Sequence, residues 1–368
     1  MILYTGFEGN NIRHIGDCMK ELILIPSYKP DEMLLEFLGE LKKIGLEDVL
    51  LVDDGSGEEY SGVYGKATAE YPGCEVIYHA VNLGKGRALK TGFNYALNKY
   101  PDLVGVVSCD ADGQHPAETV KQAAEAMHKH PDKLILGARQ FFKAKNVPKS
   151  NLAGNLITIL IFKLLTGLSF TDTQCGLRAF PKEVMKKLIR TKGERFEYEN
   201  IMLLDLRTQQ IGYCEIPMEA IYFDEEKQTS HFNKLKDSVL IYANILKFAA
   251  LPIVAGLLAL IATIIFFTYL PVCSLLKTAI FYGAGLLIGW LLMLLPVPED
   301  KGKWYTIFYP IAHTLVFSMW FYWLFNYTMI GFMGSWWISA AVAAPTGYAI
   351  YLRLRYGAKP KRIKINKE

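Results

Sequence analysis

Two aspartates and a glutamine lie close together in SCDADGQHP, residues 108–116, directly after an apolar run that predicts a buried strand. Asp110, Asp112 and Gln114 alternate along the chain, so an extended backbone points their side chains the same way. A small set of carboxylate and amide oxygens suits Mg²⁺ or Mn²⁺, which take substrate phosphates as further ligands. The spacing therefore predicts a divalent metal site. The alternative is that Asp112 or Gln114 caps the helix that follows.

The segments around this loop alternate between short apolar runs and amphipathic stretches. The runs predict five strands, and the stretches between them predict four helices. Such alternation is typical of βαβ units and of an α/β fold with a mostly parallel sheet. The predicted strands are residues 22–26, 49–53, 76–79, 103–109 and 134–137, and the predicted helices are residues 31–44, 57–71, 86–99 and 116–130.

Polar or glycine-containing segments follow each predicted strand. In a parallel sheet the carboxyl ends of the strands meet at one edge, where ligands of such folds bind. The five segments are PSYKP (26–30), DDGSG (53–57), NLGKG (82–86), DADGQH (110–115) and GAR (137–139). Their placement at one edge favours a binding site over simple helix capping.

Three common motifs for nucleotides and calcium are excluded by spacing. Gly84 and Gly86 begin a dinucleotide fingerprint, but Leu89 stands where that fingerprint needs a third glycine. No GxxxxGK[ST] run exists, which excludes a P-loop. The loop DADG has glycine at its fourth position and Lys121 at its twelfth, which excludes an EF-hand.

The motifs VDDGSG, NLGKGRALKTGF, DADGQHP and DTQCGLRAFPKEV together resemble those of the inverting family 2 glycosyltransferases. The similar branch transfers sugars to polyprenyl phosphates, and it includes dolichyl-phosphate mannose synthase and bactoprenol glucosyltransferase. The resemblance covers about residues 20–247. It implies a GT-A domain, a nucleotide-binding Rossmann-like sandwich, at residues 21–229. It also implies metal-dependent, inverting transfer from a nucleotide sugar of the UDP-glucose or GDP-mannose type to undecaprenyl or dolichyl phosphate.

On the donor side, the resemblance assigns five residues to the nucleotide. Pro26, Ser27 and Tyr28 match the opening loop of the family and would line the base. Asp53 and Asp54 would accept hydrogen bonds from the base and the ribose, because a carboxylate suits ring N–H groups and sugar hydroxyls.

The diphosphate of the donor would lie, by the same resemblance, on Asp110-Ala111-Asp112. Lys85, in its glycine-flanked loop, would approach the donor. Asp112 and Gln114 are the first choices for metal ligands, and Asp110 would support the metal or the nucleotide. Mg²⁺ or Mn²⁺ is therefore the expected cofactor.

A lipid monophosphate is already anionic near neutral pH, so it can attack the sugar without a general base. It needs positive charge and alignment instead. Arg139 and Arg178 are the candidates, because a guanidinium binds phosphate through two parallel hydrogen bonds. Arg139 joins Asp112 and Gln114 in the expected catalytic set, and Ser150 is an approximate match to a serine of the family's acceptor site.

Asp172, Gln174 and Glu199 also stand at family positions and would order the acceptor side. Two other activities stay open. A hydroxyl acceptor such as diacylglycerol would need a general base, for which Glu199 is the first candidate. A lipid-sugar translocator would bind the nucleotide without releasing a nucleoside diphosphate.

The second half of the chain is strongly apolar. Residues 248–352 hold five charged residues in all, which predicts membrane spans of about 20 residues each. Two other segments, 150–168 and 230–247, combine apolar and charged residues as interfacial helices do. The four predicted spans are near residues 248–270, 277–297, 305–327 and 332–352.

Charge and cysteine usage complete the expectations. The formal net charge is +4, and the basic tail, residues 353–368, follows an apolar segment, which favours membrane orientation over nucleic-acid binding. Six scattered cysteines predict a reducing compartment. Residues 1–20, an N-terminal extension, lack the pattern of a signal peptide. We expect an integral, multi-pass membrane protein with a cytoplasmic catalytic domain; homo-oligomerisation stays open.

Overall fold

The computed structural model describes residues 20–141, 149–220, 352–353 and 355–365, together with isolated helical positions between 243 and 349. The strands are β1 (Lys20–Ser27), β2 (Val49–Asp53), β3 (Cys74–Tyr78), β4 (Leu103–Ser108), β5 (Lys133–Arg139), β6 (Arg178–Pro181), β7 (Gly212–Met218) and β8 (Arg362–Lys364). The continuous α-helices are α1 (Glu32–Lys43), α2 (Ser61–Glu70), α3 (Lys85–Lys99), α4 (Ala117–Lys129), α5 (Lys149–Thr166), α6 (Lys182–Leu188) and α7 (Glu197–Thr208).

The strands form one mixed sheet in the order β3-β2-β1-β4-β6-β5-β7-β8. β6 runs antiparallel to its neighbours β4 and β5, and the other pairings are parallel. The predicted α/β sandwich is confirmed, and each of the five predicted strands and four predicted helices is present within a few residues. The prediction missed β6, β7 and β8, and the helices α6 and α7.

Helices cover the sheet on both faces. Successive side chains of a strand point to opposite faces, so Ile23 and Ile25 of β1 pack in the layer of α1, α2 and α4. Leu22 and Leu24 pack in the layer of α3, α6 and α7. A sheet buried on both faces holds its strand ends rigidly, and those ends carry the polar loops.

The carboxyl ends of β1, β2, β4 and β5 lie at one edge of the sheet, because these strands run in the same direction. β6 begins at that edge, since it runs the opposite way. Its first residue, Arg178, pairs with Ser108 of β4 and Leu136 of β5. The strand-end loops therefore meet at one edge, as expected.

The basic tail contributes a strand to this domain. β8 pairs in parallel with β7, placing Arg362 beside Tyr213 and Lys364 beside Glu215. The pairing extends at one end, where Ile365 N donates to the Glu215 carbonyl at 2.9 Å. Residues 362–365 of the tail are thus part of the folded α/β domain, a role that their composition did not predict.

The other predictions about the membrane fall largely outside the described residues. They are the N-terminal extension before residue 20, the interfacial helix at 230–247 and almost all of the region 248–352. The predicted helix at 150–168 is present as α5. Among the helices that the structure describes, none has both the length and the hydropathy of a membrane span.

Candidate donor and metal site

A cleft of about 560 Å³ opens at the carboxyl edge of the sheet. Its walls come from the loop after β1, the loop before α3, the acidic loop after β4 and the segment before α7. It brings together eight of the ten residues predicted for the donor and the metal, whereas Asp53 and Gln114 are not in its lining. The eight residues are Pro26, Ser27, Tyr28, Asp54, Lys85, Asp110, Ala111 and Asp112.

Lys85, the first residue of α3, lies between two carboxylates. Its Nζ is 2.6 Å from Asp110 Oδ1 and 3.2 Å from Glu199 Oε2. Burial opposes both charges of the Lys85–Asp110 pair, but their attraction outweighs it. The pKa of Lys85 is therefore raised and the pKa of Asp110 is lowered. Both groups are charged at neutral pH.

Asp112 has a different environment. Its Oδ1 accepts a hydrogen bond from Gln114 N at 3.1 Å, across a turn in which Gly113 has a φ of +69°. Burial and the negative charge of Asp110 raise the pKa of Asp112 to about 6. In contrast to Asp110, Asp112 forms no salt bridge with any lysine or arginine that the structure describes. A cation placed in the cleft would favour its charged form.

This pair of carboxylates fits a hard divalent cation that takes its other ligands from phosphate and water. Asp110 and Asp112 both line the cleft. Within the described part of the chain, no cluster of three His, Cys, Asp or Glu side chains could hold a metal alone. The metal role of Gln114 stays a prediction.

The acidic loop packs against the motif DTQCG, residues 172–176. A Cβ atom at Gly176 would lie 2.3 Å from Asp110 Oδ2, so the side chain of Asp110 needs glycine there. His115 Nδ1 accepts a hydrogen bond from Asp110 N at 3.0 Å. Burial lowers the pKa of His115 to about 4, which keeps its ring neutral and able to accept. The sequence interpretation missed His115, whose only signal was its place in DADGQHP.

Asp53 and Asp54 are buried and bind groups of the protein itself. Asp53 Oδ1 accepts hydrogen bonds from Ser56 N at 2.9 Å and from the Tyr64 hydroxyl at 3.0 Å. Asp54 Oδ2 accepts from Gly84 N at 2.7 Å and so fixes the loop before α3. These contacts shape the cleft. The predicted contacts of both aspartates with base and ribose stay predictions.

The segment before α7 adds two lining residues that the sequence interpretation missed, Arg195 and Phe196. Arg195 Nη1 donates to Asn82 Oδ1 at 3.4 Å. A Cβ atom at Gly84 would lie 2.5 Å from the Glu194 carbonyl oxygen, so only a glycine lets the two segments approach this closely. The alternation of charged and aromatic residues in RFEYEN was the only sequence signal.

On the acceptor side, Arg139 forms a bidentate ion pair with Asp172. Arg139 Nε donates to Asp172 Oδ2 at 2.6 Å and Nη2 donates to Oδ1 at 3.1 Å. The Asp172 side chain has no solvent exposure. The guanidinium carbon also lies 4.9 Å from the ring centroid of Phe141. The structure thus brings together two of the residues predicted for the acceptor side, outside the lining of the donor cleft.

Arg178 and Ser150 are placed differently. Arg178 is 2% exposed, and its Nη1 donates to the Glu199 carbonyl at 2.7 Å. Its Nε donates to the Cys175 carbonyl at 3.3 Å, so it joins α7 to the DTQCG segment. Ser150 belongs to α5, and its side chain is outside the described part of the structure. The contacts of both residues with an acceptor phosphate stay predictions.

The chain resembles known proteins over the region that builds this cleft. The profile described as Glycosyl transferase family 2 matches residues 22–189, from β1 through α6. The uncharacterized protein MJ1222 of Methanocaldococcus jannaschii is 32% identical over 203 residues, which cover 54% of this chain and 81% of that protein.

Two relatives carry a named activity. An undecaprenyl-phosphate mannosyltransferase of Micrococcus luteus is 30% identical over 212 residues, 55% of this chain and 84% of that protein. A UDP-N-acetylglucosamine–dolichyl-phosphate N-acetylglucosaminyltransferase of Methanococcus voltae is 27% identical over 215 residues, 54% of this chain and 85% of that protein. The chain matches the family profile, and it is 30% identical to the Micrococcus luteus mannosyltransferase over 84% of that protein. This chain therefore belongs to glycosyl transferase family 2 and is a glycosyltransferase.

Proposed function

We propose that this glycosyltransferase moves a sugar, with inversion, from a nucleotide sugar to a polyprenyl phosphate at the cytoplasmic face of a membrane. The observation that carries the proposal is the cleft in which Asp110 and Asp112 meet the β1 loop and Lys85. The named activities of the two relatives support a polyprenyl phosphate as acceptor.

Asp110 and Asp112 would hold Mg²⁺ or Mn²⁺. The bound cation would neutralise the diphosphate that leaves the sugar. Lys85 holds Asp110 ionised and in place, and Gln114 N–H fixes the carboxylate of Asp112. Gly176 leaves the space that the Asp110 carboxylate occupies. The protein thereby prepares the two carboxylates before any ligand enters.

The acceptor would bring its own negative charge, so the reaction needs no general base. Asp172 holds the guanidinium of Arg139 in one orientation at the carboxyl end of β5, where a phosphate would meet it. Glu199 Oε2 pairs with Lys85 at 3.2 Å, and Glu199 Oε1 has no hydrogen-bond partner among the described residues. A hydroxyl acceptor would need this carboxylate as its base, whereas a phosphate acceptor would not.

Two observations support a membrane-bound acceptor. Four large apolar side chains of α5 are more than half exposed, a surface that suits the interface of a bilayer. They are Leu156, Ile157, Leu160 and Leu164. In addition, β7 and β8, which lie before and after this apolar region in the chain, pair in one sheet. A segment between them that crosses a bilayer must therefore cross an even number of times, which agrees with four spans.

The proposal is tested with the purified full-length chain. A panel of UDP and GDP sugars is offered with undecaprenyl phosphate, dolichyl phosphate or diacylglycerol in the presence of Mn²⁺, and the lipid products are identified by mass spectrometry. We expect a polyprenyl-phosphate sugar and an equal amount of nucleoside diphosphate. Sugar transfer to diacylglycerol alone would contradict the proposed acceptor. Nucleotide binding without release of a diphosphate would favour a translocator.

A further inference from the structure

The C-terminal segment, residues 352–365, is attached to the catalytic domain by more than the β7–β8 pairing. Arg207 of α7 donates from its guanidinium to the carbonyl oxygens of Leu352, Gly357 and Ala358, at 2.9, 2.8 and 2.7 Å. Arg207 is itself buried. One arginine of the domain thus holds three carbonyl groups at the turn that precedes β8.

Arg362 of β8 reaches from this segment into the domain. Its Nε donates to Glu215 Oε2 at 2.7 Å, and its Nη2 donates to the same carboxylate oxygen. Nη2 also donates to the Thr171 hydroxyl at 2.8 Å. The Glu215 side chain is 3% exposed, and removing Arg362 would leave its buried carboxylate without a cationic partner among the described residues.

Glu215 connects Arg362 to the acceptor side of the site, because it also bonds Thr171. Its Oε1 accepts a hydrogen bond from Thr171 N at 2.5 Å. Thr171 directly precedes Asp172, whose carboxylate holds both the backbone N–H and the guanidinium of Arg139. A continuous set of bonds therefore runs from Arg362 through Glu215 and Thr171 to the Asp172–Arg139 pair.

We infer that the docked C-terminal segment is a positioning element of the acceptor side, with Arg362 as the residue that fixes the Thr171–Asp172 turn and, through it, the orientation of Arg139. This inference rests on the proposed function, because it takes Arg139 as the acceptor-phosphate ligand. It gives the last residues of the chain a part in the transfer reaction, although they lie outside the segment 22–189 that matches the family.

The inference is tested on the full-length chain with Arg362→Gln, which removes the charge and the fork but keeps a polar side chain. The matched control is Lys364→Gln, because Lys364 is an exposed cation on the same strand. Both variants are measured for KM and kcat towards polyprenyl phosphate, for KM towards the sugar nucleotide, and for amide hydrogen exchange of residues 169–174.

For Arg362→Gln we expect a roughly 10- to 100-fold fall in kcat/KM for the lipid phosphate, the range typical of a small misplacement of a binding group. The KM for the sugar nucleotide is expected to stay within about twofold of wild type, since the donor cleft is not part of this set of bonds. Exchange of residues 169–174 should become faster. Arg362→Lys should recover part of the loss, and Lys364→Gln should match wild type.

Equal kinetics of Arg362→Gln and Lys364→Gln, with unchanged exchange at residues 169–174, would overturn the inference. An equal rise in the KM for the sugar nucleotide and for the polyprenyl phosphate in Arg362→Gln would also overturn it, because that pattern indicates a general loss of structure. If Arg362→Gln does not fold, Thr171→Val removes the two hydroxyl contacts, with Arg362 and with Glu215, and is measured in the same way. A wild-type enzyme that ignores polyprenyl phosphate would instead refute the proposed function.

Discussion

The donor and acceptor sides of the site differ in how their charges are partnered. On the donor side, Asp112 lines an open cleft, forms no salt bridge with a described residue, and has a pKa raised to about 6. On the acceptor side, Arg139 and Asp172 form a bidentate ion pair, and Arg362 forms a second ion pair through one oxygen of Glu215. The donor side therefore keeps one carboxylate without a salt bridge to any described residue, whereas the acceptor side holds an arginine in a fixed orientation.

Because of this difference, the charges on the two sides affect the stability of the fold in different ways. Ionised carboxylates close to each other in a cleft oppose folding, and a ligand cation relieves that repulsion. Paired charges do not carry this strain, but removing one partner leaves the other buried and unpaired. We therefore expect substitutions on the donor side to lower activity without lowering stability, and substitutions on the acceptor side to lower both.

The largest expected effect is that of Asp112→Asn. Losing one ligand of the cation should lower sugar transfer about 1,000-fold or more, because metal stabilisation of a leaving group contributes several kcal/mol. Stability should not fall. Because the pKa of Asp112 is raised on folding, its ionisation makes the fold less stable as pH rises from about 4 to about 6, and this deficit persists above.

The asparagine variant should therefore melt at the wild-type temperature or above it at pH 7.5 without metal, measured by calorimetry. Asp102→Asn is the control, because it removes an exposed carboxylate at the opposite edge of the sheet. Transfer by Asp112→Asn within tenfold of wild type would remove the distinction between the two sides.

Arg139→Gln should lower stability as well as activity, in contrast to Asp112→Asn. It should lower kcat/KM for the lipid phosphate about 100-fold and also lower stability by roughly 3 kcal/mol, since it leaves the Asp172 carboxylate buried without its partner. The double variant Arg139→Gln/Asp172→Asn should regain stability in urea denaturation but not activity. A double variant that is active would show that the pair serves only the fold.

Gly176→Ala tests the contact between the two sides, because Gly176 of the DTQCG segment lies against Asp110. A methyl group there would lie 2.3 Å from Asp110 Oδ2, so the acidic loop must move. We expect about tenfold weaker transfer, measured at saturating donor, because a small displacement of a ligand group lowers the rate strongly. Gly65→Ala, where a Cβ meets nothing within 4 Å, should instead raise stability by about 0.5–1 kcal/mol.

The smallest effect is a pH dependence confined to the donor side. Because the pKa of Asp112 is about 6, protons compete with the cation below that pH. The rise in melting temperature that Mn²⁺ causes should shrink as pH falls from 7.5 to 5.5. The change should be absent in Asp112→Asn. A rise that is equal at both pH values in the wild type would contradict the raised pKa.

The sequence predicted the position of the residues that line the cleft better than the position of the residues around Arg139. Asp110 and Asp112 follow within four residues of the end of the buried strand β4, so the end of that apolar run places them at the carboxyl edge of the sheet. Lys85 was found through its glycines. By contrast, β6 is a four-residue antiparallel strand inside a polar motif, and β7 carries a buried Glu215 that interrupts its apolar pattern. No local pattern marks such elements.

Two contacts depend on residues too far apart for any local pattern. The buried Glu215 pairs with Arg362, which lies 147 positions further along the chain. The composition of the tail predicts a membrane-orientation signal, which stays a prediction, and its pairing with β7 depends on tertiary structure. His115 and Arg195 were missed for the same reason, since a histidine or arginine is marked as part of a site by its surroundings.

The most direct test of the central claim is calorimetric binding of a nucleoside diphosphate to the full-length enzyme, with and without Mn²⁺. The account predicts that Mn²⁺ tightens binding to the wild type and leaves binding to Asp112→Asn unchanged. Equally tight binding of the diphosphate without a metal, or the same gain from Mn²⁺ in both proteins, would contradict it.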